Sequence, residues 1–328
     1  VINHVQIQSD QCQARERVAR AVMCGPAAYR GERPGALELQ IARKNALGLE
    51  FVAHYPDAVD LLQQEQRRQD EFQRVMQATS RLLQAHEIDH ICIKFRKRYR
   101  YYDSNVDVIV AQQQWTHAVA LLSNEGYEPH IMFKEPDKIM FDKPGEVSVH
   151  MHPGVTWNGV PYFDEQALWR HSTPSADGPW CELSDDYHVL VNLAHNVFEN
   201  YEVSLGDVLF FKRFMANVHL DPADLERIAA DNGWRYGFQQ AYAQMCDLVT
   251  AWDRAEQSGE IPVHLLDYPY QIGMPVLARA FSQRVAGNLA GKRLRMALRE
   301  IYAYPAFYVL KRRHDLPWLV RLESWLRP

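Results

Sequence analysis

Asp103-Ser104-Asn105-Val106-Asp107-Val108-Ile109-Val110 ends in a run of β-branched residues and reads as the second half of a strand over 101–110. Successive side chains of a strand point to opposite faces, so Asp103, Asn105 and Asp107 share one face. A carboxylate near the end of a buried strand is costly unless something cationic meets it. Two solutions are open. One is magnesium held by carboxylates together with substrate phosphates. The other is a strand-end Asp that caps a turn or pairs with a neighbouring basic side chain. Lys94, Arg96, Lys97, Arg98 and Arg100 stand just upstream as partners.

Outward from this strand the pattern predicts a compact α+β unit. Asp89–Phe95, with Ile91-Cys92-Ile93 at its heart, is a first strand, and 111–124 is a helix with Trp115, Ala118, Val119 and Leu122 on its inward face. Gly126 stands where a helix C-cap belongs. Short strands are expected over 127–133, 138–141 and 146–152, with Lys143-Pro144-Gly145 as one of the turns between them. That makes about five strands around one helix, joined by short connections. In the last strand Glu146, Ser148, His150 and His152 share a face, which therefore meets solvent or a site. Histidine there can ligate a metal or move protons.

These segments resemble the nucleotidyltransferase fold of the polymerase β type, and more closely the poorly characterised prokaryotic nucleotidyltransferase family proteins. The likeness covers about 69–215. It runs through Ile91-Cys92-Ile93-Lys94 and Ser104-Asn105-Val106-Asp107-Val108-Ile109-Val110, where the family has Ser-Asp-Ile-Asp followed by apolar residues. It continues through His150-Met151-His152-Pro153, Trp157-Asn158-Gly159, Tyr162-Phe163-Asp164 and Leu168-Trp169, then Leu190–His195 and Leu205-Gly206-Asp207. The resemblance implies transfer of a nucleotidyl group from a nucleoside triphosphate to an acceptor, which could be a small molecule, an RNA or a protein. It implies Mg2+ or Mn2+ held by an Asp-x-Asp pair and a third acid on a neighbouring strand. Asp107 takes the second acid position. Asn105 stands at the first, and His150 at the third, or Ser148 if the register shifts by two. Asp103 and Glu146 lie on the right faces to substitute, with Asp103 as a second metal ligand. Lys94 and Arg96 stand where the family grips phosphate, with Arg98 and His152 as further phosphate contacts. The alternative is a degenerate member of the fold that binds a nucleotide, RNA or partner without turnover.

His86-Glu87-Ile88-Asp89-His90 matches the zinc-protease pattern H-E-x-x-H, so a zinc hydrolase through His86 and His90 is a further alternative. That chemistry needs both histidines on one helix, whereas the β-rich run beginning at Ile88 predicts a helix end near His86. His188, His195 and Glu199 recur on one helix face, as site residues beside the core or as satisfied interhelical groups.

The flanks read as helical: 10–24, 34–49 and 57–86 before the core, and 185–200, 221–232, 234–256, 274–288 and 292–303 after it. Phe72, Val75, Met76, Leu82 and Leu83 make the third of these amphipathic. Ser204 and Asp207 have capping-box spacing. The expected organisation is an N-terminal helical segment (1–87), a small mixed or antiparallel nucleotidyltransferase-like sheet flanked by helices (88–172), and a C-terminal helical domain (173–328). The 328 residues are 47% apolar and 23% charged, which excludes wholesale disorder. The net charge of −5 excludes a basic nucleic-acid coat. Ten Lys/Arg against three Asp/Glu from Arg284 onward leave a basic tail, with Lys292-Arg293-Leu294-Arg295, Lys311-Arg312-Arg313, Tyr302, Tyr304 and Phe307, that suits an anionic partner or a solvated helix face. The five scattered cysteines and the lack of a leader or an apolar span predict a cytoplasmic protein without a membrane partner.

Overall fold

The computed structural model describes residues 2–25, 33–132, 135–157 and 160–301. Four helices come first: α1 (Ile2–Cys24), α2 (Ala36–Lys44), α3 (Gly48–Val52) and α4 (Val59–Ala85). The single helix expected over 34–49 breaks at Asn45 and Ala46, where Ala46 takes a left-handed backbone with φ 57°. Then follow β1 (His90–Ile93), β2 (Asn105–Val110), α5 (Trp115–Asn124), β3 (Glu128–Met132), β4 (Glu135–Asp142) and β5 (Ser148–His152). β6 (Thr156–Trp157) and β7 (Val160–Pro161) pair only with each other, and α6 (Glu165–Arg170) leads to β8 (Ser172–Pro174) and β9 (Cys181–Leu183). The remainder is mainly helical: α7 (Asp185–His195), continued by a π turn over Asn196–Asn200, then α8 (Leu205–Asn217), α9 (Pro222–Asp231), α10 (Arg235–Ser258) and α11 (Met274–Ala290). β10 (Glu202–Val203) and β11 (Tyr270–Gln271) tie the start of α8 to the start of α11.

The fold is α+β. Seven strands form one mixed sheet in the order β3-β4-β5-β2-β1-β9-β8. β2 runs antiparallel to β1 and parallel to β5. The sheet is wider than the five strands expected within 88–172, because β9 pairs in parallel with β1 and β8 pairs with β9. Ser172-Thr173-Pro174 and Cys181-Glu182-Leu183 are too short and polar to show a period-2 pattern.

Strand alternation divides the apolar residues between two cores. Val106, Val108, Val110, Val149 and Met151 pack against Phe72, Val75, Met76 and Leu83 of α4 and Leu121 and Leu122 of α5. On the opposite face Ile91, Ile93 and Ile109 join Leu190, Leu193 and Ala194 of α7. That second core also takes in Val18, Leu39, Leu47 and Phe51 from α1–α3 and their connections. The first 87 residues therefore do not form a unit of their own. α4 covers the sheet, while α1–α3 pack with the C-terminal helices.

One joint shows how tightly α2 and α8 are coupled. The Asn45 side chain accepts the Leu205 N–H at 3.0 Å and donates to the Ile41 carbonyl at 2.9 Å. Ser204 and Asp207 form the expected capping box at the start of α8. A Cβ at Gly206 would lie 2.1 Å from the Asn45 carbonyl oxygen, whereas one at helical Gly287 would meet nothing within 4 Å. In denaturant unfolding, Gly206→Ala is expected to destabilise by about 1–3 kcal/mol. Gly287→Ala is expected to stabilise by up to about 1 kcal/mol, through helix propensity alone.

Candidate functional site

Asp107 points from β2 toward the helical core and is buried. Its strand registers with β5, so that Asn105 lies opposite Ser148, Asp107 opposite His150 and Ile109 opposite His152. Four side chains converge on its carboxylate. Lys94 Nζ lies 2.9 Å from Oδ2, and the Asn105 amide donates to the same oxygen at 2.8 Å. His152 Nε2 lies 2.8 Å from Oδ1, and His150 Nδ1 lies 3.8 Å from it. Burial works against ionisation of Asp107, but Lys94, His152 and His150 hold its carboxyl well below the usual carboxylate range. Burial also disfavours the Lys94 charge, yet Asp107 and Glu199 keep the ammonium above the usual lysine range. The imidazoles stay neutral. Burial lowers His152, and brings His150 down to about 4. An ionised carboxylate can only accept, so His152 Nε2–H donates the hydrogen bond between them.

Lys94 reaches this position from the residue just after Ile93, which pairs with Asp107 in the β1–β2 ladder. Its backbone is left-handed, φ 64°, a region that a side-chain-bearing residue enters at a cost. The ion pair compensates that cost locally.

The face opens into a cavity of about 810 Å³ between the β2–β5 edge and the helices. Of the residues singled out in the sequence, Lys94, Asp103, Asn105, Glu146 and His150 all line it. Asp107 and His152 lie just behind that lining. Asp103 precedes β2, and accepts a hydrogen bond from the Tyr101 hydroxyl and the Ser104 N–H. Glu146 precedes β5 and is held by the Tyr127 hydroxyl at 2.8 Å and Arg74 at 3.4 Å.

Arg96 and Arg98 are directed elsewhere. Arg96 pairs with Asp185 at 2.6 Å and Glu182 at 3.6 Å, and its guanidinium lies over Phe214. Arg98 lies over the same ring. Neither lines the cavity. The cleft is accordingly less basic than the segment 94–100 suggests. Arg43, Lys44, Arg68, Lys94, Lys97 and Lys138 line it, against Glu71, Asp103, Glu146, Glu199, Glu202 and Asp207, so six cations meet six acids.

Several lining residues were not singled out from the sequence. Tyr99, Tyr101 and Tyr102 form an aromatic wall. Lys97, one of the five basic residues read as partners for the strand's acids, also lines the cavity, buried with its ammonium 2.5 Å from Asn192 Oδ1 and 3.8 Å from Asp207. The run Tyr99-Arg100-Tyr101-Tyr102 before β2 was the available signal. Lys138 carried none, because it comes from a strand distant in sequence. His195 and Glu199, recognised only as a helical repeat, also line the cavity, 2.8 Å apart between Nε2 and Oε2. Burial opposes the Glu199 charge, but His195, Lys94 and Lys138 keep its carboxyl well below the ordinary range.

Their helix neighbour His188 lies outside the cavity. It is buried against Phe210 and Phe214, and its Nε2 donates to the Arg96 carbonyl at 2.9 Å. Burial and the charges of Arg96, Lys97 and Arg98 bring its imidazole down to about 3. The zinc pattern is split by the fold. α4 ends at Ala85, His86 packs edge-on to His117, and His90 is buried on β1 with Nδ1 against the Ile88 carbonyl. The two histidines therefore do not share a helix face. Arg284, counted with the basic tail, is buried and bound to Glu300 and to the carbonyls of Asn232 and Pro161. The tail motifs Lys311-Arg312-Arg313, Tyr302, Tyr304 and Phe307, and the pair Asn158-Gly159, lie outside the described residues. Among the described residues no helix is long and apolar enough to cross a membrane.

As arranged, the residues do not fit a divalent cation. Lys94, the Asn105 amide and His152 Nε2 all direct hydrogen-bond donors at the Asp107 carboxylate, where a metal needs lone pairs. Among the described residues no three His, Cys, Asp or Glu side chains gather as a metal-ligand set.

Two outcomes are expected. Lys94→Met leaves Asp107 facing only imidazoles and an amide, which should cost about 3–5 kcal/mol of stability. It should also raise the His152 pKa, by removing a nearby positive charge, which is visible in an NMR titration of the histidine ring signals. The second concerns pH. Between an unfolded value near 6.5 and a folded value of about 3, only the unfolded chain protonates His188. Its contribution is complete above pH 6.5 and is lost as pH falls, by about 1.4 kcal/mol per unit. His188→Gln keeps the donor without the titration and should flatten the fall of Tm between pH 6.5 and 4. A scan of protein-family models found no match to this chain, and a search of curated proteins found none either.

Proposed function

We propose that this is a nucleotidyltransferase-like protein whose cavity binds a nucleotide directly, without a metal-assisted transfer step. The observation that carries the reading is convergence. Lys94, Asp103, Asn105, Glu146 and His150, chosen from three separate stretches of sequence, line one cavity. The parallel pairing of β2 with β5, Asp107 opposite His150, supports the likeness, which requires the third position on a strand neighbouring Asn105-Val106-Asp107. The donor-only surroundings of Asp107 favour binding over metal-dependent transfer. Lys44 and Arg68 offer charged N–H groups to a phosphate, and Tyr99, Tyr101 and Tyr102 offer aromatic surface to a base. The balance of six cations against six acids suits a nucleoside monophosphate better than a free triphosphate.

Calorimetric titration with AMP, GMP, ATP and GTP, in EDTA and in magnesium, tests the proposal. Binding of a monophosphate in EDTA is expected, insensitive to magnesium and weakened about tenfold (about 1.4 kcal/mol) in Lys44→Ala/Arg68→Ala. Absence of binding under both conditions overturns it. Binding that needs magnesium, with transfer of label from the triphosphate to an acceptor, overturns it in favour of metal-dependent nucleotidyl transfer with Asp107 and Asp103 as metal ligands.

A further inference from the structure

We propose that the helical stretch 294–301, with the turn before it, docks this protein onto a membrane surface that carries anionic lipid. Leu294, Leu298 and Ile301 stand at i, i+4 and i+7, so they share one helix face. They are 59%, 55% and 54% exposed, a row of large apolar side chains left against water. Another side of the same stretch ties it to the protein. Ala297 and Glu300 are buried, and Glu300 accepts from Arg284 Nε at 2.7 Å. Arg284 is itself fixed by the carbonyls of Asn232 and Pro161, at 2.9 and 2.7 Å. The apolar row is therefore held outward. Turning it inward would break a buried ion pair, which is strongly destabilising.

Charge selects the partner. Lys292, Arg293 and Arg295 are exposed beside this row. Arg299 is exposed too, but lies 3.8 Å from Asp137 and is not counted with them. Aliphatic side chains with cations alongside match a bilayer interface, where the first enter the acyl boundary and the second meet lipid phosphates. A nucleic acid would call for aromatic stacking platforms, and the exposed apolar residues of this row are all aliphatic. The whole chain is also polarised. Its net charge is −5, yet from Arg284 onward ten Lys/Arg stand against three Asp/Glu. An anionic surface attracts that end and repels the remainder, which orients the approach. Contact of this kind needs no membrane-crossing helix.

Flotation of the full chain with vesicles tests the proposal. Vesicles of phosphatidylcholine alone are compared with vesicles in which about a third of the lipid is phosphatidylglycerol. The unaltered protein is expected to bind the anionic vesicles at least about tenfold more tightly than the neutral ones, a preference that fades as salt rises. Leu294→Ser/Leu298→Ser/Ile301→Ser should weaken binding to the anionic vesicles at least about tenfold, with Tm unchanged. Lys292→Gln/Arg293→Gln/Arg295→Gln should weaken it by at least about tenfold and remove the preference between the two kinds of vesicle. Absence of binding, or equal binding of the unaltered protein to both kinds, overturns the inference. So does undiminished binding in either variant, which would put the contact elsewhere in the chain. A marked fall of Tm in the serine variant overturns it as well, because the row would then be covered within the protein. Capture of a single-stranded RNA oligonucleotide without binding to vesicles overturns it in favour of a nucleic-acid surface. None of these measurements involves AMP or its relatives, so failure here and failure of the nucleotide-binding proposal are separable.

Discussion

A carboxylate buried at the seam between two cores is the constraint around which this protein is arranged. Asp107 could not remain ionised there alone. It does so because β1, β2 and β5 each deliver a partner: Lys94 just beyond the end of β1, Asn105 from its own strand, and His150 and His152 from the strand beside it. Each delivery depends on register. A slip of one residue in β5 would carry both histidines to the opposite face and put Val149 or Met151 against the carboxylate. The central three strands are therefore specified electrostatically as well as by their apolar alternation.

The cavity follows from the same seam. One face of the sheet is covered continuously by α4 and α5, because Val106, Val108, Val110, Val149 and Met151 give them an apolar surface. On the other face Ile91, Ile93 and Ile109 support the helical core, but toward the start of β2 the facing residues become Asn105 and Asp103. Helices cannot close over such groups without stripping them of water. The helical core retreats, and the gap is lined by polar residues from α2, β4, the π turn and the start of α8. The π turn over Asn196–Asn200 contributes directly, since it carries Glu199 and Asn200 to the cavity rim.

Local pattern made much of this legible. The alternation in 103–110 and 146–152 identified the shared polar faces, and Asp103, Asn105, Asp107, Glu146, His150 and His152 are found in or just behind one cavity, while Ser148 turns to Phe141 and Asp142. The capping box at Ser204 and Asp207 and the helix end near His86 were also readable, because each depends on residues a few positions apart. What could not be read depends on distant pairing. Ser172–Pro174 and Cys181–Leu183 become strands only because β1 has a free edge to receive them. The first helices look like a separate segment until Asn45 is seen bound to Leu205, 160 residues away. Lys138 has no local mark at all and belongs to the cavity through the β4–β5 ladder.

Charge illustrates the difference most clearly. Five basic residues within 94–100 look like a phosphate grip when counted along the chain. The turn after β1 distributes them by direction instead. Lys94 goes to Asp107, Lys97 to Asn192 and Asp207, and Arg96 to Glu182 and Asp185. Each of these three meets a carboxylate from another part of the molecule, so a locally positive sequence becomes a locally neutral structure. Attraction for an anion then cannot come from summed charge in the cleft. It has to come from individual donors at its rim that are not committed to a buried partner, and from the shape of the space that they border. Lys44, remote in sequence from the basic run, is better placed for that than Arg96 or Arg98, whereas Arg68 borders the same space but lies 3.7 Å from the buried Glu65 carboxylate.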